Sequence, residues 1–155
     1  RYLYVSRKAT ALAPIRSFDD MRYKFGVVWF ETTIEEWICD RIGIALEAGD
    51  DALARQYGFN EGLESKINFK NCHQFQRVLH VLSPRILAKA REERTLLIDY
   101  LKQEGVIIPS AGEKTQRIGF VDIGYHGQTP RNILLLSENF QAGSAIYQQC
   151  LLLLR

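Results

Sequence analysis

A glycine-rich turn near the carboxyl end of the chain contains residue types that could bind or transform a small anion. Gly124 and Gly127 lack a Cβ, so they would let the backbone approach a ligand closely. Asp122 precedes this turn and Arg131 follows it, so a carboxylate and a guanidinium flank one short segment. The residues between them add phenol, imidazole, amide and hydroxyl groups, from Tyr125, His126, Gln128 and Thr129. This turn is the candidate site that the sequence predicts.

Recognition of a phosphate is the chemistry expected of the turn. In open α/β sheets, ligands lie beyond the carboxyl ends of the strands, where a loop leads into a helix. The first N–H groups of that helix have no partner within it, and the helix dipole adds positive charge. The same dipole disfavours Arg131 in the first helical turn by roughly a few tenths of a kcal/mol, unless an anion lies nearby. The glycine pattern matches neither the Walker loop nor the dinucleotide fingerprint, so it does not specify the ligand.

Two residues are candidates for catalysis, and seven are candidates for ligand binding. Asp122 could orient a hydroxyl or a metal-bound water, and His126 could act as a general acid or base near neutral pH. Arg7 follows the first predicted strand and could converge on the same crevice. The predicted ligand-binding residues are Arg7, Gly124, Tyr125, Gly127, Gln128, Thr129 and Arg131. These residue types leave open whether the turn catalyses a reaction or only binds.

No metal site and no cofactor are predicted from the rest of the chain. His73 and His80 would share a helix face, but they are too far apart for the usual i, i+4 pair of metal ligands. The adjacent acids of Asp19–Asp20 and Asp50–Asp51 should diverge or cap helices rather than flank a substrate. A Ser-His-Asp triad cannot be assembled, because Ser6 does not lie in a nucleophile elbow.

The elements around the turn predict a βαβ unit. A strand is expected over Ile118–Ile123, a helix from the Thr129 cap and Pro130 to about Asn139, and a second strand within Ala145–Leu154. With a further strand at Tyr2–Val5, these elements predict an α/β fold with a Rossmann-like, mostly parallel sheet. We expect a single α/β domain over residues 1–155, with a helical insertion at about residues 33–105.

Capping signals divide the predicted insertion into helices. Thr33 and Glu36 form a capping box for a helix from Ile34 to about Ile42, which Gly43 ends. Short helices are expected over Asp50–Gly58 and Glu61–Ile67. A helix over Asn71–Leu82 should stop before Ser83–Pro84, which restarts a helix that runs to Glu104. Before the insertion, Ser6 could cap a short helical turn through Ala13, Ser17–Tyr23 is predicted to be irregular, and Gly26–Phe30 could be a strand.

Composition predicts an intracellular globular protein. The 155 residues are 46% hydrophobic and 25% charged, which suits a folded core, and the net charge is +2. No dense basic block predicts nucleic-acid binding, and no apolar run is long enough to span a membrane. Three widely spaced cysteines favour a reducing compartment, so a cytoplasmic location is expected. The absence of an initiator methionine and the apolar run at each end suggest a fragment of a longer protein.

Three segments of the chain resemble a family of large bacterial proteins. The segments are Tyr2–Ala9, with its Ser-Arg strand end, and Phe120–Gly127, with its Val-Asp-Ile-Gly turn; Thr33–Ile44 is also similar. The family comprises predicted hydrolases of the haloacid dehalogenase superfamily and is associated with surface-polysaccharide glycosyltransferases. The resemblance implies a region that follows the hydrolase domain. The Asp-x-Asp signature of that domain is absent here, so its phosphatase chemistry does not carry over to this chain.

Three functions are consistent with these features. The first is a phosphate- or nucleotide-sugar-binding domain, catalytic or accessory, of a bacterial hydrolase or glycan-metabolism protein. The second is a non-catalytic module that docks the remaining domains of its parent protein, around Trp29–Phe30 or the last strand. The third is a phosphoribosyltransferase-like domain, although such domains usually place two adjacent acids where this chain has only Asp122.

Overall fold

The computed structural model describes residues 5, 7–25, 31–105, 120–122, 128–138 and 150–152. These residues form two compact units, one made of residues 1–14 and 91–155 and the other of residues 15–90. Within the described parts, helices dominate and the strands are only two or three residues long. The first unit contains the predicted site, and the second contains most of the predicted helical insertion.

The predicted Rossmann-like, mostly parallel sheet is wrong. The described strands form two separate pairs, one antiparallel and one parallel. The helical periodicity of the middle of the chain outweighs the few short apolar runs that suggested a sheet, since such runs do not distinguish strand from helix. The strand predictions at Tyr2–Val5 and Gly26–Phe30 fall mainly or wholly outside the described residues.

The second unit is built from helices around one short hairpin of strands. Its elements are α2 (Phe18–Phe25), β1 (Thr32–Thr33), α3 (Ile34–Trp37), a π-helical turn (Ile38–Ile42), α4 (Ala48–Gln56), a 3-10 turn (Gly62–Glu64), β2 (Lys66–Ile67) and a 3-10 turn (Phe69–Asn71). Strands β1 and β2 pair antiparallel, with Thr32 opposite Ile67. Helix α5 (Cys72–Gln103) begins in this unit and continues into the other after Ala90.

An aromatic series connects three of these helices. The ring of Trp37 lies edge-to-face on Phe25, at 5.6 Å between centroids, and on Phe75, at 4.9 Å. Such pairs add about 0.5–1.5 kcal/mol beyond the burial of their area. The side chains of Met21 and Ile34 are fully buried, as is Phe75. α2, α3 and α5 therefore share one core.

The predicted capping box at the start of α3 is confirmed. The Thr33 hydroxyl accepts a hydrogen bond from the Glu36 amide at 3.1 Å, and the Glu36 carboxylate accepts one from the Thr33 amide at 3.2 Å. The Glu36 carboxylate also accepts a hydrogen bond from the Thr32 hydroxyl at 3.0 Å. The bond from the Thr33 backbone, followed by that from the Thr32 hydroxyl, lowers the pKa of the Glu36 carboxyl. Gly43 ends the helix at φ 75°, as expected of a left-handed cap.

α2 replaces the irregular segment predicted over Ser17–Tyr23. The Ser17 hydroxyl accepts a hydrogen bond from the Asp20 amide at 3.1 Å, and the Asp20 carboxylate accepts one from the Ser17 amide at 2.9 Å. This is a capping box with aspartate in the place of the usual glutamate. Although partial burial raises the pKa of Asp20, hydrogen bonds from Arg16 and Ser17 outweigh it and lower that pKa.

The predicted break at Ser83–Pro84 is also wrong, because α5 runs continuously through it. A proline inside a helix leaves the carbonyl four residues earlier without its amide donor. Here that carbonyl belongs to His80, and the Ser83 hydroxyl donates a hydrogen bond to it at 2.7 Å. Ser83 thus replaces the donor that Pro84 lacks.

Replacement of Ser83 by alanine should lower the free energy of unfolding by about 1 kcal/mol, the net contribution of a typical hydrogen bond. Pro84→Ala should raise it by about 1 kcal/mol or more, because the new amide can bond to His80. In the Pro84→Ala background the loss caused by Ser83→Ala should largely disappear. Chemical denaturation of the four proteins measures this cycle, and equal effects of Ser83→Ala in both backgrounds would contradict the assignment.

The first unit contains a short parallel βαβ unit. The βαβ unit consists of β3 (Phe120–Asp122), α6 (Gln128–Glu138) and β4 (Cys150–Leu152). The first unit also contains α1 (Arg7–Ala11) and the end of α5. Strands β3 and β4 pair in parallel, as the sequence predicts. A buried apolar cluster joins these helices and consists of Ala13, Leu97, Leu101, Ile133 and Leu136.

Candidate functional site

The predicted turn connects β3 to α6. β3 ends at Asp122 and α6 begins at Gln128, so a strand precedes the predicted turn and a helix follows it, as expected. Gly124, Tyr125, His126 and Gly127 lie outside the described residues. The structure therefore describes both ends of the candidate site, and the roles of its individual residues stay predictions.

The carboxyl ends of β3 and β4 coincide. Phe120 pairs with Cys150, Val121 with Leu151 and Asp122 with Leu152. In a parallel pair this register brings the last residues of both strands to the same edge. Asp122 therefore ends its strand at the edge where ligands of α/β units bind.

α6 begins two residues earlier than predicted, so Thr129 lies inside the helix and is not its cap. Pro130 is buried at the third helical position, where a missing N–H removes no intrahelical bond. Thr129 is half-buried and Arg131 is exposed. The guanidinium of Arg131 is thus available to solvent in the first turns of α6.

A buried polar contact, which the sequence reasoning missed, ties α1 to α6. The Asn132 side-chain amide donates a hydrogen bond to the Thr10 hydroxyl at 3.3 Å. Asn132 is 4% exposed and Thr10 is fully buried. Arg7 begins α1, three residues before Thr10, and Arg131 precedes Asn132 directly. The contact therefore brings the helix that starts with Arg7 against the helix that carries Arg131.

The most buried charge among the described side chains lies in the other unit. Asp50 is 5% exposed, and both of its carboxylate oxygens accept hydrogen bonds from one Arg85 nitrogen, at 2.8 and 2.9 Å. Arg85 also forms an ion pair with Glu47 at 3.1 Å and donates to the Ala45 carbonyl. The Glu47 amide donates to Asp50 at 2.8 Å. All these groups have protein partners, so the cluster fastens α4 to α5.

Asp51 also has a structural role. Its carboxylate accepts hydrogen bonds from the Arg55 side chain at 2.8 Å and from the Leu63 amide at 3.0 Å. The bond from Arg55, followed by that from Leu63, lowers the pKa of Asp51. Asp50 therefore caps a helix, as predicted for these adjacent acids, and Asp51 holds a loop, which the sequence did not predict.

Metal ligands do not cluster in the part of the chain that the structure describes. Within it, no three side chains of His, Cys, Asp or Glu are arranged to hold a metal ion. His73 and His80 are both exposed on α5, and His80 packs edge-to-face on Phe18 at 4.6 Å. The described helices also include none that is long and apolar enough to cross a membrane.

Comparison with protein-family models, with curated proteins and with solved structures finds no match to this chain.

Proposed function

We propose that the chain binds a phosphorylated small molecule or a nucleotide sugar where β3 leads into α6. The supporting observation is the parallel β3–α6–β4 unit, with Asp122 at the carboxyl edge of its strand pair and Arg131 exposed near the start of its helix. A strand that leads through a short turn into a helix is a recurrent arrangement for binding anions. The glycines at 124 and 127 suit a backbone that approaches its ligand closely.

Each predicted site residue has a role in this proposal. Arg131 and the first amides of α6 hold the phosphate, because both present positive charge. Asp122 orients a hydroxyl of the ligand, and His126 exchanges a proton with it where a reaction takes place. Arg7 adds a second cation from α1, which the Thr10–Asn132 contact holds against α6. Tyr125, Gln128 and Thr129 supply further contacts to the ligand.

The resemblance to bacterial hydrolases encoded beside glycosyltransferases favours ligands of glycan metabolism. Such ligands include sugar phosphates and nucleotide sugars, both of which carry the phosphate that this site would recognise. The remaining domains of a longer parent protein would then supply or consume the bound molecule. The resemblance does not identify a reaction, because the catalytic Asp-x-Asp signature is absent from this chain.

Phosphate-bearing ligands should raise the melting temperature of the wild-type protein. The probes are inorganic phosphate, a hexose 1-phosphate, a uridine diphosphate sugar and phosphoribosyl diphosphate, because binding to the folded state stabilises it by mass action. At a ligand concentration 100-fold above the Kd, the gain is about 2.7 kcal/mol. Arg131→Ala should abolish the rise. Thermal unfolding followed by circular dichroism measures both effects.

Arg91→Ala provides the matched control. Arg91 is an exposed arginine of the same unit, so its replacement removes the same charge from a different helix. The control should retain the full ligand response. If none of the probes stabilises the wild type while an isolated domain of the parent protein binds it, the chain is a docking module and the phosphate proposal fails.

A further inference from the structure

One stretch of the chain is basic without interruption by acids. Between Glu64 and Glu92 there are six Lys and Arg residues and two histidines, but no Asp or Glu. Residues 15–90 as a whole carry similar numbers of acidic and basic side chains. The positive charge is therefore local to one segment, most of which lies in α5.

The helix collects part of this charge on one face. His73, Arg77 and His80 are exposed and are spaced by four and three residues, so they lie along one side of α5. Lys70, exposed just before the helix, extends the same line. We call these four side chains the basic stripe. The stripe spans about 15 Å, from the helical rise of about 1.5 Å per residue. The buried residues Phe75, Val78 and Leu79 occupy the opposite side.

Acidic partners for the two full charges of the stripe are absent from the described residues. Lys66 and Arg85, which belong to the same stretch, form ion pairs with Glu31 and Asp50. Lys70 and Arg77 form none with any residue that the structure describes. The stripe therefore presents charge that no acidic side chain in the described part of the chain neutralises.

Two exposed apolar side chains flank the basic stripe. Phe69, which is 70% exposed, precedes Lys70, and Val81, which is 44% exposed, follows His80. Large apolar groups beside complementary charge are typical of protein interfaces, where aromatic residues act as anchors. A nucleic-acid surface would need a denser basic patch than two full charges along this length.

We propose that the basic stripe docks an acidic segment of a partner polypeptide, with apolar residues that cover Phe69 and Val81. Charge complementarity carries the assignment: a segment that places Asp or Glu two helical turns apart matches Lys70 and Arg77 across the interface. The phosphate site lies in the other unit, so this surface is independent of the proposed function.

A fluorescein-labelled helical peptide of alternating Glu-rich and Leu-rich turns provides the probe, with fluorescence anisotropy of the full chain at 50 mM salt as the measurement. The wild type should bind the peptide, and higher salt should weaken binding because the charges are screened. The double variant Lys70→Glu/Arg77→Glu should weaken binding at least tenfold. Phe69→Ser should weaken binding while it leaves the charge unchanged.

Arg41→Glu/Lys102→Glu is the matched control, because it reverses two exposed charges that lie outside the basic stripe. Lys102 lies about 33 Å beyond His80 along α5, from the rise of about 1.5 Å per residue. The control should bind within about twofold of the wild type, since distant surface charges contribute little at contact range. Equal losses in both double variants would overturn the proposal by showing attraction to overall charge. So would tighter binding of a single-stranded oligonucleotide of equal charge, or of vesicles with one-third phosphatidylserine, or a failure of the wild type to bind the peptide.

Discussion

Replacement of Arg85 by alanine is expected to lower the free energy of unfolding by about 3–5 kcal/mol, because it leaves a buried carboxylate without its counter-charge. The Asp50 side chain is 7% exposed, and Arg85 meets both of its oxygens. The guanidinium also bonds to Glu47 and to the Ala45 carbonyl, so alanine would break every one of these contacts between α4 and α5. Urea denaturation, followed by circular dichroism, measures the loss.

A control and a double variant separate the buried charge from the ion pair. Lys66→Ala removes an exposed pair with Glu31 and should change stability little, because solvent screens such pairs. Arg85→Met combined with Asp50→Leu should be much less destabilising than Arg85→Ala, because it removes both charges and preserves volume. A loss below about 1 kcal/mol for Arg85→Ala would show that the pair does not fasten the helices.

Local sequence rules predicted the elements whose stabilising contacts lie within a few residues. Thr33, Glu36 and Gly43 act within one short helical segment, so their residue types were sufficient. The same rules failed at Pro84, where the Ser83 hydroxyl supplies the missing donor, and at Ser17, where the reciprocal acid is Asp20. At Pro84 a serine hydroxyl replaces the backbone amide that the rule requires, and at Ser17 an aspartate replaces the glutamate of the usual capping box.

Contacts between distant residues were beyond sequence reasoning. Asp50 and Arg85 are 35 residues apart, and Thr10 and Asn132 are 122 apart. Nothing in the types of these residues identifies their partners, because Asp50 reads as a helix cap and Asn132 precedes an ordinary apolar run. The failure of the predicted Rossmann-like sheet has a related cause. Pairing of strands depends on distant segments, whereas a long helix such as α5 depends on its own periodicity.

The order of elements at the candidate site was predictable because it is local. A β-branched and aromatic run that ends at Asp122 and a proline near the start of a helix are signals within one segment. The parallel pairing of β3 with β4 follows from the helix between them, which makes the connection a crossover. The structure adds the contact of α1 with α6, which the sequence did not predict. This contact supports the inclusion of Arg7, the first residue of α1, in the proposed site.

Replacement of Gly62 by alanine is expected to lower the free energy of unfolding by about 2–4 kcal/mol, through backbone strain and a lost hydrogen bond. Gly62 has φ 62°, a conformation that disfavours any residue with a Cβ. An added Cβ would lie 1.8 Å from an Asp51 carboxylate oxygen. That carboxylate cannot move without releasing the Leu63 amide and the Arg55 side chain, which it holds together.

Two other glycines separate the strain from the collision. Gly105 has φ 70° with no atom within 4 Å of an added Cβ, so Gly105→Ala should cost only the strain, about 1–2 kcal/mol. Gly49 lies in α4 with open space around it and no positive φ, so Gly49→Ala should raise stability by about 0.5–1 kcal/mol. Thermal and urea unfolding should show the largest loss of stability for Gly62→Ala, a smaller loss for Gly105→Ala and a gain for Gly49→Ala. Equal losses for Gly62→Ala and Gly105→Ala would mean that the Asp51 carboxylate yields freely, and that the loop it holds does not depend on the space left by Gly62.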